Sequence, residues 1–137
     1  MQPFAINYLA LLVATVAKFF IGFVWFTFLF GKKWAALQGI SMERKPGDNA
    51  VMMRGMAIDF VGGFITAYVL VHATHYAGAT GVGQGLMVGF FNWLGFMGVT
   101  SLSSNTWEMR PYQLWVINNA YSLLYMLVMG VIVTVWT

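Results

Sequence analysis

Four long apolar segments constrain the fold of this chain more than any other feature of its sequence. A helix needs about 20 mostly apolar residues to cross the hydrocarbon core of a bilayer, where only helices and closed barrels satisfy their own backbone hydrogen bonds. The sequence therefore predicts an all-α bundle of four transmembrane helices that fills residues 1–137 as a single domain. The four predicted spans run from about Asn7 to Phe30, Met53 to His75, Val82 to Ser103 and Tyr112 to Trp136.

The charge content excludes the main classes of water-soluble protein. Only 8% of the residues are charged and 60% are hydrophobic, whereas soluble domains carry about 25% charged residues. So few charges cannot cover the surface of a small soluble domain. The basic residues form no stripe that would bind nucleic acid, and the lack of cysteine excludes disulfides and thiolate chemistry. We therefore expect an integral membrane protein whose principal partner is the lipid bilayer.

The positions of the basic residues predict the orientation of the bundle. Lysine and arginine in short loops stay on the cytoplasmic side of a membrane. In a four-span chain, the first and third loops lie on the same side, so both termini are predicted to lie outside. The expected location is the cell (inner) membrane, as a multi-pass protein with cytoplasmic basic loops. The basic residues of these two loops are Lys32, Lys33, Arg44, Lys45, Arg54 and Arg110.

The first segment and the loop after it allow two further expectations. No basic region precedes the first segment, so we expect it to stay in the mature protein instead of being removed as a signal peptide. Trp34, Leu37 and Ile40 recur at helical spacing, which predicts a short helix lying in the membrane interface. The charged, proline- and glycine-containing stretch from Met42 to Asn49 is typical of a solvated turn.

A weak internal repeat is visible in the sequence. The stretch Phe23–Phe28 resembles Phe91–Phe96, and Ile58-Asp59 and Ile117-Asn118 lie at similar depths in the second and fourth spans. This pattern is compatible with a pseudo-repeat of two helical hairpins of the same orientation, as in parallel-repeat transporters. The same matches also arise by chance in an aromatic-rich chain, so both interpretations stay open.

Small residues at spacings of four predict close helix packing. Gly81, Gly85 and Gly89 form such a row in the third span, and Gly63 belongs to a similar row in the second. Small residues let helix backbones approach each other in lipid. The rows favour packing inside one four-helix bundle over a seam between copies. A homo-oligomer stays open, because four helices offer few shielded surfaces.

Lys18 is the most informative single residue, because it lies near the middle of the first span, roughly 18 Å from Phe30. A charge at that depth is costly unless it snorkels, finds a partner or meets water. The nearest acid is Asp59, but side chains lean toward the N-terminus of their own helix. Lys18 would then lean outward and Asp59 inward, so a direct ion pair is disfavoured, and Asn92 is the favoured neutral partner.

Two roles follow for these polar residues. Lys18 would belong to a path for ions, protons or anionic substrates, or it would pair or snorkel for structural reasons alone. Asp59 and Asn118 would form a polar cluster near the cytoplasmic mouth, while the adjacent Asn119 points about 100° away round the helix. Alternatively, Asp59 pairs at the interface with Arg54 or with the lysines after the first span. The candidate intramembrane polar site is Lys18, Asp59, Asn92 and Asn118.

Metal binding and catalysis have little support in the sequence. His72 and His75 share a helix face, but a structural metal site usually has about four ligands, and no acid or cysteine lies near them in the sequence. Glu108 lies close to a run of serines, yet no histidine on that side completes a nucleophile–base pair. We therefore expect no metal, no cofactor and no catalytic residues, and no enzymatic activity.

The chain resembles a known family in two stretches. The first is Gly22 to Thr27 and Leu29 to Trp34, followed by Leu37 and Gly39; the second is Trp107 to Pro111, followed by Leu114, Ile117-Asn118, Tyr121 and Gly130. These residues resemble the bacterial membrane family catalogued as domain of unknown function 1761. The chain departs from that pattern at Met109, where glycine is expected, and at Phe26, where tyrosine is more usual. The resemblance implies a four-span membrane protein and supplies no activity or functional residues.

Three functional classes remain at this point. The first is a homo-oligomeric small-solute or ion transporter or channel-like protein, which the intramembrane polar residues favour. The alternative is a structural or accessory subunit that packs on a larger membrane complex, for which the glycine rows and lipid-facing aromatic residues are suited. A cofactor-binding protein that uses His72 and His75 ranks well below both.

Overall fold

The computed structural model describes residues 3–40, 43 and 45–136. Every regular element in these ranges is a helix, and four of the helical spans are long and apolar enough to cross a membrane: Tyr8–Leu29, Asp48–Tyr76, Gly81–Trp107 and Tyr112–Val135. The predicted all-α fold with four membrane spans is confirmed. The elements are α1 (Tyr8–Val24, continued by a π-helical segment, Trp25–Leu29), α2 (Gly31–Gln38), α3 (Asp48–Tyr76), α4 (Gly81–Trp93, continued by a π-helical segment, Leu94–Gly98), α5 (Val99–Trp107) and α6 (Tyr112–Val135).

The start of α1 and the end of α6 lie at the same end of the bundle, which is called the termini end below. The Asn7 side chain accepts hydrogen bonds from the backbone N–H groups of Leu9 and Ala10, so it caps the start of α1. Its amide nitrogen also donates to the carbonyl oxygen of Trp136 at 3.0 Å, just after α6 ends. The opposite end, which carries α2 and the turn between α5 and α6, is called the loop end below.

The loop after the first span contains the predicted short helix. α2 includes Trp34 and Leu37 and stops at Gly39, whose positive φ of 71° suits a residue without a side chain. Ile40 follows the helix instead of belonging to it. In the predicted turn, Met42 and Arg44 lie outside the described residues.

α3 begins earlier than the sequence indicated, at Asp48 instead of Met53. Gly47, with φ of 91°, turns the chain into the helix, and the Asp48 side chain accepts a hydrogen bond from the backbone N–H of Lys45. An acid in the first helical turn is also favoured by the helix dipole. The additional turn matters for the site, because it changes how far Asp59 lies from the end of its helix.

α6 is the central helix of the bundle. In its most apolar 18-residue stretch 44% is buried, against 22–28% in the corresponding stretches of the other three spans, and it packs against α1, α3 and α4. Two tryptophans join its neighbours to it: the indole N–H of Trp25 donates to the carbonyl of Ile117 at 3.0 Å, and that of Trp93 donates to the hydroxyl of Ser122 at 2.8 Å. These bonds hold α1 and α4 at two different heights of α6.

The aromatic repeat coincides with an irregularity in each half of the chain. In the first copy the π-helical segment starts at Trp25, and in the second it starts directly after Trp93. The packing of the two copies differs, however. In a strict repeat of two hairpins, the bond from Trp25 of α1 to α6 would be matched by a bond from Trp93 of α4 to α3. Instead, both tryptophans bond to α6. The halves therefore share a local backbone feature but not their environment.

Candidate functional site

The candidate site is centred on an ion pair between the first and second spans. Lys18 Nζ on α1 lies 2.9 Å from Asp59 Oδ1 on α3. The Lys18 side chain is 7% exposed, whereas the Asp59 side chain is 51% exposed. The pair is therefore asymmetric: its cation is enclosed by the protein and its anion faces outward.

The expectation that this pair would be disfavoured was wrong, and Gly63 provides one reason. A Cβ at Gly63 would lie 3.2 Å from Lys18 Cδ, so the lysine stem crosses α3 where that helix has no side chain. The ammonium group then lies one turn away, at Asp59. The Cα–Cβ bond sets only the initial direction of the Lys18 side chain. Its four methylene groups are long enough to reverse that direction and bring the ammonium group to Asp59.

The length of α3 provides the second reason. About 17 Å of helix separates Asp59 from the start of α3 at Asp48, and about 17 Å separates Lys18 from Leu29. The two residues are therefore equally distant from the loop end. A helix beginning at Met53 would have placed Asp59 too close to that end to meet Lys18.

Asn92 is not the partner of Lys18, so the preference for it was also wrong. Its amide nitrogen donates to the carbonyl oxygen of Val88 at 2.8 Å, one turn back on α4. A short polar side chain that bonds to its own helix in this way needs no partner across the bundle. Asn92 lines cavities of about 410 and 500 Å³ between α3 and α4.

Two tyrosines of α6 complete the surroundings of Lys18. Its Nζ lies 4.8 Å from the ring centroid of Tyr125 and 5.8 Å from that of Tyr121. The two rings are 4.9 Å apart and meet edge to face. A cation over an aromatic face is stabilised by the ring quadrupole. Lys18 is thus held between one carboxylate and two rings.

The same rings begin a continuous row that leads toward the loop end. The Tyr121 ring lies 5.2 Å from that of Phe26, and the Phe26 ring lies 5.7 Å from that of Trp34 on α2. We call Tyr125, Tyr121, Phe26 and Trp34 the aromatic row. It connects the ion pair with the short helix at the end of the bundle.

A groove of about 870 Å³ runs beside this row, and we call it the Asp59 groove. Its lining includes Lys18 and Asp59, three rings of the aromatic row (Tyr125, Phe26 and Trp34), and Met52, Gly55, Met56, Ile58, Gly62 and Thr66 of α3. Gly55 and Gly62 keep the groove wide, because neither has a side chain to project into it. Among the described residues, nothing lies within 4 Å of a Cβ placed on either glycine. The volume is in the range of small-molecule sites, about 300–1,000 Å³.

Comparison with known proteins identifies the family of the chain. Residues 9–134 match the family described as "Protein of unknown function (DUF1761)". The chain belongs to this family. No curated protein and no solved structure matches it.

In this DUF1761 chain, Asn118 lies apart from Asp59. It lines a cavity of about 510 Å³ at the loop end of α5 and α6, together with Ser101, Asn105 and Asn119. The predicted cluster of Asp59 with Asn118 is therefore wrong. The alternative, an interfacial pair of Asp59 with Arg54, Lys32 or Lys33, is wrong as well, because Asp59 pairs with Lys18.

Asn119 is the better-connected asparagine of α6, which the sequence did not reveal. Its side-chain oxygen accepts a hydrogen bond from the Ser101 hydroxyl at 2.6 Å, and its nitrogen donates to the carbonyl of Trp115 at 2.9 Å. The Trp115 indole N–H donates in turn to Ser101 at 3.1 Å. This closed network joins α5 to α6. The four-residue spacing of Trp115 and Asn119, on one helix face, was the available signal.

The predicted packing glycines divide into two groups. A Cβ on Gly85 would lie 2.8 Å from the Gly130 carbonyl oxygen, and one on Gly89 would clash with the Met126 carbonyl, so both lie in the contact of α4 with α6. Gly63 accommodates Lys18, as described above. For Gly81 the prediction was wrong: its φ is 77°, and within the described chain nothing lies within 4 Å of its Cβ position. It serves the turn that starts α4.

His72 and His75 lie near the termini end of the bundle in an aromatic setting. His75 stacks on Phe4 with ring centroids 3.7 Å apart, and His72 Nδ1 lies 2.7 Å from the carbonyl oxygen of Tyr68. No group of three or more histidine, cysteine, aspartate or glutamate side chains able to hold a metal occurs in the part of the chain that the structure describes.

Proposed function

We propose that the protein transports a small solute or ion across the membrane and that the Lys18–Asp59 pair is its binding site. One observation carries the proposal: an ion pair lies well inside two membrane spans, and its carboxylate faces a groove instead of being enclosed. Ionisable residues inside a membrane are expensive and commonly mark ion or substrate paths. A purely structural contact between α1 and α3 would be provided equally well by apolar residues of similar volume.

The direction in which the groove opens supports this function. Trp34 on α2 lines the groove together with Asp59. A solute at the loop end would therefore reach the carboxylate along the aromatic row without crossing the core around α6. We propose that the loop end is cytoplasmic and that the protein lies in the cell membrane, which agrees with the basic residues of its two loops.

A homo-oligomer is part of the proposal, and a stripe on α3 supports it. The stripe residues recur at spacings of four and three, are all either glycine or β-branched, and are all exposed in the single chain. Such a face suits close parallel packing of two helices in lipid. A second copy on this α3 stripe would also cover the lipid side of the Asp59 groove. The stripe residues are Val51, Gly55, Ile58, Gly62, Ile65 and Val69.

Flux measurements test the transport function. The chain is reconstituted in liposomes containing a trapped pH indicator, and proton flux is followed alone and during addition of Na⁺, K⁺, amino acids or organic ammonium ions. We expect flux with at least one of these, and its loss in Lys18→Met and in Asp59→Asn. Lys33→Met, at an exposed position outside the groove, is the matched control. Unchanged flux in Lys18→Met would remove the ion pair from the mechanism.

An accessory subunit of a larger complex is the second candidate, and the α3 stripe is the observation that favours it. The stripe would then pack on a helix of another protein. Purification in a mild detergent separates the two cases. A stoichiometric foreign membrane protein would support the accessory role, and a homo-oligomer would support the transporter.

A further inference from the structure

We infer that the Asp59 groove binds a hydrophobic organic ammonium, an assignment of substrate class that rests on the transport site proposed above. The charge that a ligand meets in the groove is the first reason. Lys18 Nζ is enclosed by Asp59 and by the rings of Tyr121 and Tyr125, which are the titratable groups that face it from α3 and α6. The Asp59 side chain is half exposed, so a ligand in the groove meets the carboxylate of the pair more readily than its buried ammonium group.

The wall of the groove is the second reason. Phe26, Trp34 and Tyr125 line it, and aromatic faces attract organic cations. Met52 and Met56 line the opposite wall on α3, where their flexible thioether side chains adapt to ligands of irregular shape. A carboxylate between aromatic and thioether surfaces selects a positive group that is attached to an apolar body.

Lys18 must then act as a competitor built into the site. It neutralises Asp59 in the empty groove through Oδ1. A ligand ammonium takes the carboxylate, and the Lys18 ammonium turns onto the Tyr125 ring, whose centroid already lies only 4.8 Å away. When Lys18 returns to Asp59 it expels the ligand. Lys18 therefore weakens binding but makes release, and hence transport, efficient.

This arrangement makes opposite predictions from an anion site. In an anion site Lys18 would hold the ligand, so its removal would abolish binding. In an ammonium site the removal of Lys18 frees the carboxylate and strengthens binding. The substitution Lys18→Met thus decides between the two substrate classes by the sign of its effect.

The test is calorimetric titration of the full chain in nanodiscs of zwitterionic lipid at pH 8. Two probes share one ring and differ in charge: 2-phenylethylammonium and 3-phenylpropanoate. We expect the cation to bind about tenfold or more tightly than the anion, which corresponds to about 1.4 kcal/mol. Lys18→Met should raise the affinity for the cation about fivefold, and Asp59→Asn should lower it about tenfold.

Two further variants guard against misfolding as an explanation. Trp34→Leu, in the wall of the groove, should weaken binding several-fold, and the exposed Lys33→Met should leave it unchanged. Each variant is required to elute as a monodisperse species with wild-type helical content. Preference for the anion, loss of cation binding in Lys18→Met, or no binding of either probe would overturn the inference.

The outcome is separable from that for transport. Cation binding with the expected variant pattern, but without flux of any solute, contradicts the transport function and leaves the ligand class standing. Flux of another solute that depends on Lys18, without binding of the ammonium probe, overturns the ligand class and leaves transport standing.

Discussion

Gly89 of α4 lies directly against the carbonyl group of Met126 of α6, and a side chain at this position would occupy the space of that carbonyl. The contact brings the third span onto the central helix, and Gly85 continues it one turn away, against Gly130. Close backbone approach of this kind is a main source of helix association in lipid.

Enlarging Gly89 should therefore separate α4 from α6. We expect Gly89→Val to lower the free energy of unfolding by about 1–3 kcal/mol, because a neighbouring backbone cannot yield as a flexible side chain does. Thermal unfolding in detergent, followed by helical content, measures the effect. Gly83→Val is the matched control on the same helix, since nothing in the described chain lies within 4 Å of its Cβ position. Equal loss in both variants would contradict this assignment.

The hydrogen bond between Trp93 and Ser122 is buried, so its removal should be measurable. Trp93→Phe keeps an aromatic ring and removes the indole N–H that donates to Ser122. We expect a loss of roughly 0.5–1.5 kcal/mol in unfolding free energy, typical of one hydrogen bond. Trp107→Phe, at a position that is 85% exposed, should change stability little. A larger effect at position 107 would count against the central role of α6.

The ion pair should show strong coupling in a double-mutant cycle. Lys18→Met and Asp59→Asn each leave one polar partner behind, so each should destabilise the protein. The double variant should be more stable than the sum of the single effects predicts, with a coupling energy of about 0.5–3 kcal/mol. Unfolding by chemical denaturant in mixed micelles provides the four stabilities. Additive effects would mean that the two side chains do not interact.

Disulfide cross-linking tests the α3 stripe, and the absence of cysteine from the chain makes it direct. Ile58→Cys and Ile65→Cys should form dimers on mild oxidation in native membranes, because both positions lie on the same exposed stripe. Val116→Cys, equally exposed but on α6, should stay monomeric. Dimers at position 116 but not at 58 or 65 would move the seam from α3 to α6.

Single cysteines also report the orientation of the bundle. Pro46→Cys and Glu108→Cys lie in the two basic loops, and Ala77→Cys lies at the opposite end. In intact cells an impermeant maleimide should label position 77 and leave positions 46 and 108 unlabelled, as the basic loops predict. Labelling in the reverse pattern would invert the orientation but keep the fold.

The number of spans and their approximate positions could be predicted, because apolar length alone decides whether a helix crosses a bilayer. The central position of α6 could not. Its mean hydropathy of 1.8 is lower than the 2.2 of the first span, yet it is the more buried helix. Its burial arises from packing against α1, α3 and α4 together. The closest of these contacts is at Gly85 and Gly89, which the sequence shows as a row without naming the partner.

Of the ion pair, the sequence allowed Lys18 to be identified but not its partner. Lys18 was identifiable, since a charge within a membrane span stands out in any sequence. Its partner depended on two features that periodicity does not reveal: the early start of α3 after Gly47, and the gap at Gly63 through which the lysine stem passes. Both are properties of the backbone near a glycine rather than of hydrophobic pattern.

The π-helical segment Trp25–Leu29 has a consequence for how relatives of this chain should be aligned. Such a segment accommodates one residue more than the α-helix it interrupts, so everything after it is rotated by about 100°. Deleting a single residue there would restore a regular helix and turn Trp34 away from Phe26. Insertions and deletions among family members should therefore be sought inside this span as well as in loops, and a relative that is one residue shorter at this point would have lost the end of the aromatic row.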